Sequence, residues 1–591
     1  MTGIEMLRTP TPKWMRSSRL SSAHAAIGRA AALCALTLFS VLLLAAPEKR
    51  KPREGVAGPE AHVSTGQLRG AMLGSTAVFF GIPFAAPPVG NLRWREPQPP
   101  APWQGVRDAT IPGNQCSQVP TGIELFIKPL ADSYHAQYNV GTFTTSEDCL
   151  FLNVWVANWP SAKGLPVMVW VHGGSNRAGS GTEAGYDGTA LAAHGVIVVT
   201  LNYRLGVMGF FAHPELTAES PHHSSGNYGL LDQIAALRWV QENIAQFGGD
   251  PGNVTVFGES AGSIDVTTLM ASPLAKGLFR RVIAESGPAF GLERQQDVAK
   301  METLGTAVGK AAGVASGPQI EILRKLPPAQ VAQLENGLIA AQFKGYDPNS
   351  SIVDGWVLPQ SPAKTFATGA VEKTDLLVGM NAREFSAFRA GAAAAQKASG
   401  PPVPKVKLSD QISQFADATR PLYGGWTDMA VASYMAKILI HGASAVDQAT
   451  GDIVLGCPIG AEAAMVTAAG QHAYVYRFER TVPGPGEAEL GSFHALELPY
   501  VFGTFQAHTF SWLPFSATDH QLGSIVETYW TNFAKTGDPN GGSLPHWSNW
   551  NTDKEPYLAF TESGEAAPRE QFSPNYCHLS PDRLKQQLGK M

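Results

Sequence analysis

Residues 254–263 read VTVFGESAGS, and this stretch decides the fold of the chain. The apolar, β-branched segment 254–257 predicts a buried strand, and Gly258-Glu259-Ser260-Ala261-Gly262 follows it as a G-x-S-x-G motif. A strand that turns sharply into a helix needs glycine on both sides of the serine, because side chains there would clash with the neighbouring strand and helix. The motif therefore predicts a Ser260 hydroxyl that is exposed in a cleft and available as a nucleophile.

A second glycine motif, His172-Gly173-Gly174-Ser175, follows another predicted buried strand at residues 167–171. Consecutive small residues let backbone N–H groups approach a substrate oxygen to about 3 Å, where larger side chains would block them. The alternative is an ordinary glycine-rich turn. Both glycine motifs follow a predicted buried strand, and the anion-binding loop comes before the nucleophile in the chain. This order favours an oxyanion-binding role for residues 172–175 over an ordinary turn.

The alternation of predicted elements indicates the fold class. Strands are predicted at residues 167–171, 196–201 and 254–257, and an amphipathic helix at residues 230–245. The strands are apolar on both faces, as in a buried parallel sheet. We therefore predict an α/β fold with a large, mostly parallel central sheet flanked by helices.

Two further segments carry structural predictions of their own. Residues 63–84 alternate apolar residues with glycines and predict an opening antiparallel meander. Residues 391–405 (GAAAAQKASGPPVPK) are compositionally biased and proline-rich, and we predict a surface insertion without a catalytic role.

Length and composition limit the class of protein. The 591 residues are 44% hydrophobic and 16% charged, which is typical of a large globular protein. The net charge is -5, and no block of Lys and Arg after residue 53 indicates a nucleic-acid partner. Because the motifs must converge on one site, we predict a single catalytic domain over residues 55–591.

The first 54 residues have the order of a targeting segment. Basic residues precede the apolar run 30–46, as in a signal peptide, which predicts a secreted, periplasmic or extracellular protein. The basic stretch 49–53 follows without a clear cleavage site, so an uncleaved membrane anchor remains open. Cys34 lies in the apolar run without a lipobox, and we do not predict a lipoprotein.

Four cysteines remain beyond this segment: Cys116, Cys149, Cys457 and Cys577. Their even number in an oxidising compartment, and the absence of zinc-type spacing in the sequence, predict disulfides. Spacing alone leaves all three pairings open.

A series of further motifs resembles one family, the type-B carboxylesterases, which include cholinesterases and bacterial para-nitrobenzyl esterases. The resemblance covers nearly the whole chain after the leader. It is carried by FFGIPFAAPPVGNLRWREPQPP at 79–100, SEDCLFLNVW at 146–155, NYRLGVMGF at 202–210, GNYGLLDQIAALRWVQENIAQFGGDPGNVTVFGESAGS at 226–263, GMNAREF at 379–385, FHALELPYVFG at 493–503 and WTNFAKTGDPN at 530–540.

The resemblance implies an α/β-hydrolase fold and the hydrolysis of small-molecule carboxylic esters without a metal or organic cofactor. Ser260 is then the nucleophile, His494 the general base and Glu384, in the pattern G-x-N-x-x-E, the acid that orients the histidine. The alternatives are a solvated loop acid for Glu384 and a packing role for His494. A lipase that acts on aggregated lipid is an alternative function. A non-catalytic adhesion protein is disfavoured because the triad is complete. The sequence does not identify the natural substrate or the oligomeric state.

The same resemblance assigns the residues around the triad. Gly174 and Ser175, joined by Ala261, are the expected oxyanion-hole donors. Asn176 and Arg177, where this chain departs from the aromatic residue of many relatives, and Glu259 are candidate substrate-binding residues. Arg177 near the developing charge would favour acyl groups that carry a carboxylate; alternatively it points to solvent or pairs with an acid such as Glu183.

The resemblance also implies covalent and ionic links. Cys116 is expected to pair with Cys149, and Cys457 with Cys577. Buried ion pairs are expected between Arg93 and Glu147 and between Arg204 and Asp232.

Overall fold

The computed structural model describes residues 58–118, 121–138, 144–290, 296–399, 443–574 and 577. An eleven-stranded sheet runs through this part of the chain. From one edge to the other its strands are Ala566–Arg569, Tyr557–Phe560, Ala473–Phe478, Asp375–Asn381, Arg281–Glu285, Gly249–Glu259, Leu165–Val171, Ile197–Leu201, Phe151–Ala157, Thr76–Pro83 and Ala71–Leu73.

The adjacent strands from Ile197–Leu201 to Tyr557–Phe560 all run parallel. Antiparallel strands extend the sheet at both edges, beginning with Phe151–Ala157 on one side and Ala566–Arg569 on the other. Because parallel strands end at the same edge of a sheet, the loops that follow them converge there. This arrangement confirms the predicted α/β class with a mostly parallel sheet.

Both faces of the sheet are covered. In the strand Leu165–Val171, Val167 and Val169 pack into one hydrophobic core, while Met168 and Trp170 pack into the core on the opposite face. Alternate residues of a strand point to opposite faces, so a strand buried on both faces must be apolar at every position. This requirement explains the continuous apolar runs in the sequence.

Helices flank the sheet on both sides. The α-helices of the described residues are Thr121–Ser133, Thr189–Ala193, Gly206–Phe210, Pro214–Glu219, Tyr228–Asn243, Ala261–Leu269, Val298–Ala311, Gln319–Leu323, Pro328–Ala341, Pro362–Ala367, Phe385–Ser399, Ala443–Gly451, Cys457–Ala468, Glu487–Leu490, Leu498–Phe502 and Ala517–Thr536. The helix predicted at residues 230–245 is present as Tyr228–Asn243, continued by a 3-10 turn at Ile244–Phe247.

The predicted opening meander is divided between two sheets. Ala71–Leu73 and Thr76–Pro83 form a hairpin at the edge of the large sheet. Glu60–Val63 and Gly66–Arg69 form another hairpin, which belongs with Val106–Asp108 to a separate three-stranded sheet. Two short parallel pairs complete the strands, Gln115–Cys116 with Thr145–Ser146 and Gln296–Asp297 with Ile352–Val353.

The prediction of a surface insertion at residues 391–405 is wrong for its described part. Residues 391–399 continue the helix Phe385–Ser399, and Gly391, Ala392 and Ala395 line the main cavity of the protein. Alanine is a strong helix former, so an alanine-rich stretch supports a helix here although its composition is biased. Residues 400–405, and the leader predictions for residues 1–54, lie outside the described residues.

One helical stretch of the described residues, Ser444–Ala468, has the length and mean hydropathy of a membrane span. About two thirds of its apolar window, 67%, is buried inside the protein. Core helices of soluble proteins have the same composition, so this stretch is weak evidence for a membrane segment.

The structure contains both expected disulfides, Cys116–Cys149 and Cys457–Cys577. The first closes a loop with a sequence separation of 33, and that loop carries the helix Thr121–Ser133. The second has a sequence separation of 120 and ties the end of the described chain to the helix Cys457–Ala468. Each bridge stabilises the fold by roughly 2–4 kcal/mol if it acts mainly on the unfolded chain.

Both expected ion pairs are also present. Arg93 meets Glu147 with two N–H groups at 2.6 Å, and it donates further hydrogen bonds to the carbonyl oxygens of Leu323 and Leu326. Arg204 meets Asp232 through Nε and Nη2, both at 2.7 Å. Such two-pronged pairs fix the approach of two chain segments.

Replacing Glu147 by alanine is expected to lower the free energy of unfolding by about 3 kcal/mol, because it leaves the buried Arg93 charge unpaired. Denaturant unfolding measures this loss. Glu60→Ala is the matched control: the Glu60–Arg69 pair is exposed, and its loss should cost less than about 1 kcal/mol. Wild-type stability of Glu147→Ala combined with an altered substrate preference would contradict the structural role.

Candidate active site

The site is built at the carboxyl edge of four neighbouring parallel strands. These strands are Leu165–Val171, Gly249–Glu259, Arg281–Glu285 and Asp375–Asn381. The residues that directly follow them include His172 to Ser175, Ser260, Ser286 and Glu384. Residues far apart in the sequence therefore meet at one end of the sheet.

Ser260 lies on a sharp turn between the strand Gly249–Glu259 and the helix Ala261–Leu269. Its φ angle is 56°, a left-handed value that costs a non-glycine residue about 1–3 kcal/mol. A Cβ at Gly262 would lie 2.1 Å from the carbonyl oxygen of Val171, and one at Gly258 would lie 2.7 Å from the same atom. Glycine is thus required on both sides of Ser260.

The loop 172–175 is held in place by its histidine. The ring of His172 stacks on Tyr203 with centroids 4.5 Å apart, and its Nδ1 lies 2.8 Å from the carbonyl oxygen of Gly173. Burial lowers the pKa of His172 to about 4, so the ring is neutral at neutral pH. His172 therefore shapes the loop and contributes no charge to it.

Gly173, Gly174 and Ser175 of this loop line the cavity. Gly174 has a φ of 101°, and a Cβ there would lie 2.2 Å from the carbonyl oxygen of Ala178. In the described part of the chain, the N–H groups of Gly174, Ser175 and Ala261 make no intramolecular hydrogen bond. The structure thus leaves the backbone donors of all three expected oxyanion-hole residues free.

Glu384 is buried and directly contacts His494. Its Oε2 lies 2.5 Å from His494 Nδ1, and its Oε1 accepts hydrogen bonds from Ser286 Oγ and the Asn381 N–H, both at 2.6 Å. Both carboxylate oxygens are therefore fixed in position. This arrangement holds the imidazole ring in one orientation.

Sequence reasoning did not identify Ser286. Its backbone N–H donates to the carbonyl oxygen of Gly379 at 2.9 Å, which fixes the loop that presents the Ser286 hydroxyl to Glu384. The available signal was its place directly after a buried apolar segment, residues 281–285, since carboxyl ends of parallel strands carry site residues.

Glu259, the residue before Ser260, contacts the opposite side of the histidine ring. Its Oε1 lies 3.1 Å from His494 Nε2 and accepts no hydrogen bond from the described residues. Burial raises the pKa of Glu259 to about 7, although the neighbouring His494 acts against the rise. Glu259, a candidate substrate-binding residue, also lines the cavity. Its negative charge, when present, stabilises a protonated His494.

Two carboxylates set the charge of His494. Burial alone lowers the pKa of this histidine, but the carboxylates of Glu259 and Glu384 outweigh that effect and raise it above the ordinary value. Glu497, another buried acid, acts in the same direction. The site is thus arranged to stabilise a positive imidazolium.

A cavity of about 460 Å³ opens over Ser260 and His494. The rings of Phe126 and Phe388 lie 6.1 Å and 5.0 Å from the His494 ring, measured between centroids. These two residues come from the helices Thr121–Ser133 and Phe385–Ser399. Further aromatic residues line the cavity: Tyr186, Phe493, Phe510 and Trp512. A substrate in this cavity meets mostly apolar side chains together with the polar backbone of residues 173–175 and the acids Glu183 and Glu259.

The other two candidate substrate-binding residues have different positions. Asn176 is fully buried (0% exposed) outside the cavity lining, where it accepts a hydrogen bond from Tyr203 and donates to Asp265 and to the backbone of Asn349. It supports the loop from behind. Arg177 lines the cavity with a side chain that is 58% exposed, and the acid beside it is Asp347 rather than Glu183.

Comparison with known protein families gives one match. The model of the carboxylesterase family matches residues 57–578. The matched segment includes every residue of the site described above.

Curated proteins and solved structures are similar over most of the chain. The fumonisin B1 esterase of Sphingopyxis macrogoltabida is 37% identical over 498 residues, which are 82% of this chain and 83% of that protein. Carboxylesterase 1D of Mus musculus is 35% identical over 526 residues, 83% of this chain and 86% of its own length. A solved structure titled as a thermophilic PNB esterase has a TM-score of 0.71 at 31% identity and covers 90% of this chain and all of that one (100%).

Proposed function

Because the chain belongs to the carboxylesterase family, we propose that it hydrolyses carboxylic esters through a triad of Ser260, His494 and Glu384. The observation that carries this proposal is the 2.5 Å contact between His494 Nδ1 and Glu384, in a cavity that Ser260 and His494 both line. The roles follow from what ester cleavage requires.

In the first half-reaction, Ser260 Oγ attacks the ester carbonyl carbon while His494 Nε2 takes the hydroxyl proton. The tetrahedral intermediate collapses as the C–O bond to the alcohol breaks, and the imidazolium returns the proton to the leaving oxygen. Glu384 stabilises the imidazolium and keeps the second ring proton on Nδ1. The acyl group remains bonded to Ser260 Oγ.

In the second half-reaction, a water molecule attacks the acyl carbon and His494 takes its proton. The bond from the acyl carbon to Ser260 Oγ then breaks, the serine recovers its proton and the carboxylic acid leaves. In both halves the negative carbonyl oxygen is held by the N–H groups of Gly174, Ser175 and Ala261. Each such donor is worth about 2.7–4 kcal/mol of transition-state stabilisation.

A substrate panel tests the proposal. Ethyl and p-nitrophenyl esters of varied acyl length should be hydrolysed, and a serine-directed organophosphorus inhibitor should abolish every activity together. Ester hydrolysis that persists after complete labelling of the protein would contradict a serine mechanism.

One observation favours a lipase as the second candidate. Phe388 lies on the cavity wall beside His494 and is still 44% exposed, so apolar surface continues outward from the site. A lipase should be faster on emulsified tributyrin than on dissolved p-nitrophenyl butyrate, whereas a soluble-substrate esterase should show the reverse.

The two disulfides support a secreted, periplasmic or extracellular location, because such bridges persist in oxidising compartments. Fractionation of the producing cells tests this location. A secreted protein should be found in the membrane-free external fraction, whereas a protein anchored by residues 1–54 should stay with the membranes.

The Glu259→Gln variant should shift the acid limb of the kcat/KM profile to lower pH, by about one to two units. His494 must be neutral to accept the serine proton, so activity falls as the pH drops through its pKa. Glu259 raises that pKa from 3.1 Å away, and removing its charge therefore lowers it.

A matched control is Glu462→Gln, which replaces another buried acid with a raised pKa, one whose described contact is the Ala289 N–H rather than His494. Its acid limb should stay at the wild-type position. An unmoved or raised limb in Glu259→Gln would show that Glu259 does not set the charge of His494.

A further inference from the structure

The cavity contains one permanent cation. Among the described residues that line it, Arg177 is the only arginine or lysine. The Arg177 side chain is 58% exposed, and most of the other side chains that line the cavity are apolar. Two acids, Glu183 and Glu259, also line the cavity, and burial raises the pKa of each to about 7. Below that pH both are mostly neutral, and Arg177 is then a candidate for recognising a negative group of the substrate.

The guanidinium of Arg177 is anchored on one side. In the amide orientation that satisfies both residues, Asn349 Oδ1 accepts from Nε at 2.5 Å and from Nη2 at 2.8 Å. Asp347 Oδ1 lies 3.6 Å from Nη2. Nη1 makes no hydrogen bond with the described residues, so this edge of the planar group keeps its donors for a ligand.

The two acids near Arg177 leave most of its positive charge available. Glu335 is buried close to Arg177, and burial raises its pKa to about 8, so it is mostly protonated and neutral at pH 7. Asp347 is half exposed, so water and salt screen its charge. A substrate carboxylate would therefore meet a guanidinium whose ionic partner among the described residues is the solvated Asp347 at 3.6 Å.

Arg177 is also fixed relative to the oxyanion donors. Its backbone N–H donates to the carbonyl oxygen of Gly174 at 3.0 Å, which places it in the same tight turn as Gly174 and Ser175. The Cα atoms of residues two apart in a chain lie within about 7 Å of each other, and Ser175 and Arg177 both line the cavity. One substrate can therefore place its carbonyl oxygen in the oxyanion hole and a carboxylate on Arg177.

We propose that the site selects esters whose acyl part carries a second carboxylate, and that this carboxylate pairs with the Arg177 guanidinium. The inference rests on the proposed ester hydrolysis and leaves its chemistry unchanged. Ser260 forms the bond to the acyl carbon, the neutral alcohol leaves with its proton, and water releases the dicarboxylic acid. Arg177 acts on substrate binding and orientation, through an ionic hydrogen bond.

Three alkyl esters of similar length test the proposal, each followed by proton release at constant pH. Monoethyl glutarate carries the carboxylate on the acyl side, O-pentanoyl glycolate carries it on the alcohol side, and ethyl pentanoate is neutral. The variants are Arg177→Met and Arg177→Lys. Arg95→Met is the matched control, because Arg95 is similarly exposed (45%) and pairs with Glu219 outside the cavity.

Arg177→Met should lower kcat/KM for monoethyl glutarate by roughly tenfold, about 1.4 kcal/mol, and leave ethyl pentanoate almost unchanged. Arg177→Lys should recover part of the loss, Arg95→Met should show none, and added salt should weaken the wild-type preference. Equal changes for all three esters, or no change, would overturn the proposal. A loss confined to O-pentanoyl glycolate would place the anion on the alcohol side and also overturn it. Absence of hydrolysis of all three esters by the wild-type protein would instead contradict the proposed function.

Discussion

Replacement of Ser260 by alanine is expected to lower ester turnover by about 10^4-fold or more while the protein remains folded. Without the hydroxyl no acyl-enzyme forms, and only the oxyanion donors and the cavity remain to assist direct attack by water. His494→Ala should lose a similar factor, because the members of a triad act as one unit. Steady-state rates on p-nitrophenyl butyrate measure both losses.

Two measurements keep this result interpretable. Thermal unfolding should be close to wild type for Ser260→Ala, because serine and alanine both carry a Cβ and therefore have the same strain at the left-handed φ of 56°. Ser524→Ala, an exposed position of the helix Ala517–Thr536, is the matched control and should keep full activity. A purified, folded Ser260→Ala protein with substantial activity would exclude Ser260 as the nucleophile.

Glu384→Gln should reduce turnover by about 10^3- to 10^4-fold with little change in KM. Oε1 of the wild-type residue is already occupied by donors from Ser286 and Asn381, so the glutamine oxygen takes that place and its NH2 group faces His494 Nδ1. That NH2 donates to Nδ1 and forces the ring proton onto Nε2. The histidine then cannot accept the proton of Ser260.

Two further variants separate orientation from simple loss of charge. Ser286→Ala removes one of the bonds to Glu384 but keeps the carboxylate, and a loss of only about tenfold is expected. Asp375→Asn, at the other end of the strand that leads to Glu384, should keep nearly full activity, because Asp375 accepts from the His472 N–H at 3.0 Å and takes no part in the triad.

The turn at Ser260 was predictable because the constraint is local. The motif places a glycine on each side of the serine, directly after an apolar run. A Cβ at either glycine would lie within 2.7 Å of the Val171 carbonyl oxygen, so no larger residue fits. The α/β class was predictable for the same reason, since burial on both faces requires a continuous apolar strand such as Leu165–Val171. Glu384 and His494 were identified only through the family resemblance of their motifs.

The contacts around the triad depend on strand order, which the sequence does not reveal. Ser286 reaches Glu384 because the strands Arg281–Glu285 and Asp375–Asn381 are neighbours in the sheet. Arg177 lies beside Asp347 and Asn349, far along the chain, so the nearer acid Glu183 was the natural but incorrect choice of partner. Residues 391–399 form a helix rather than a surface insertion because alanine is a strong helix former even in a biased composition, and Gly391, Ala392 and Ala395 line the cavity.

The measurement that tests the triad most directly is covalent labelling of the folded wild-type protein with an organophosphorus ester such as paraoxon. The triad predicts loss of ester hydrolysis in step with the addition of one diethylphosphoryl group per chain. Peptide mass spectrometry should then locate that group on Ser260, and Glu384→Gln should be labelled far more slowly. Complete inactivation with the label on another residue, or full labelling of Ser260 without loss of activity, would contradict the account.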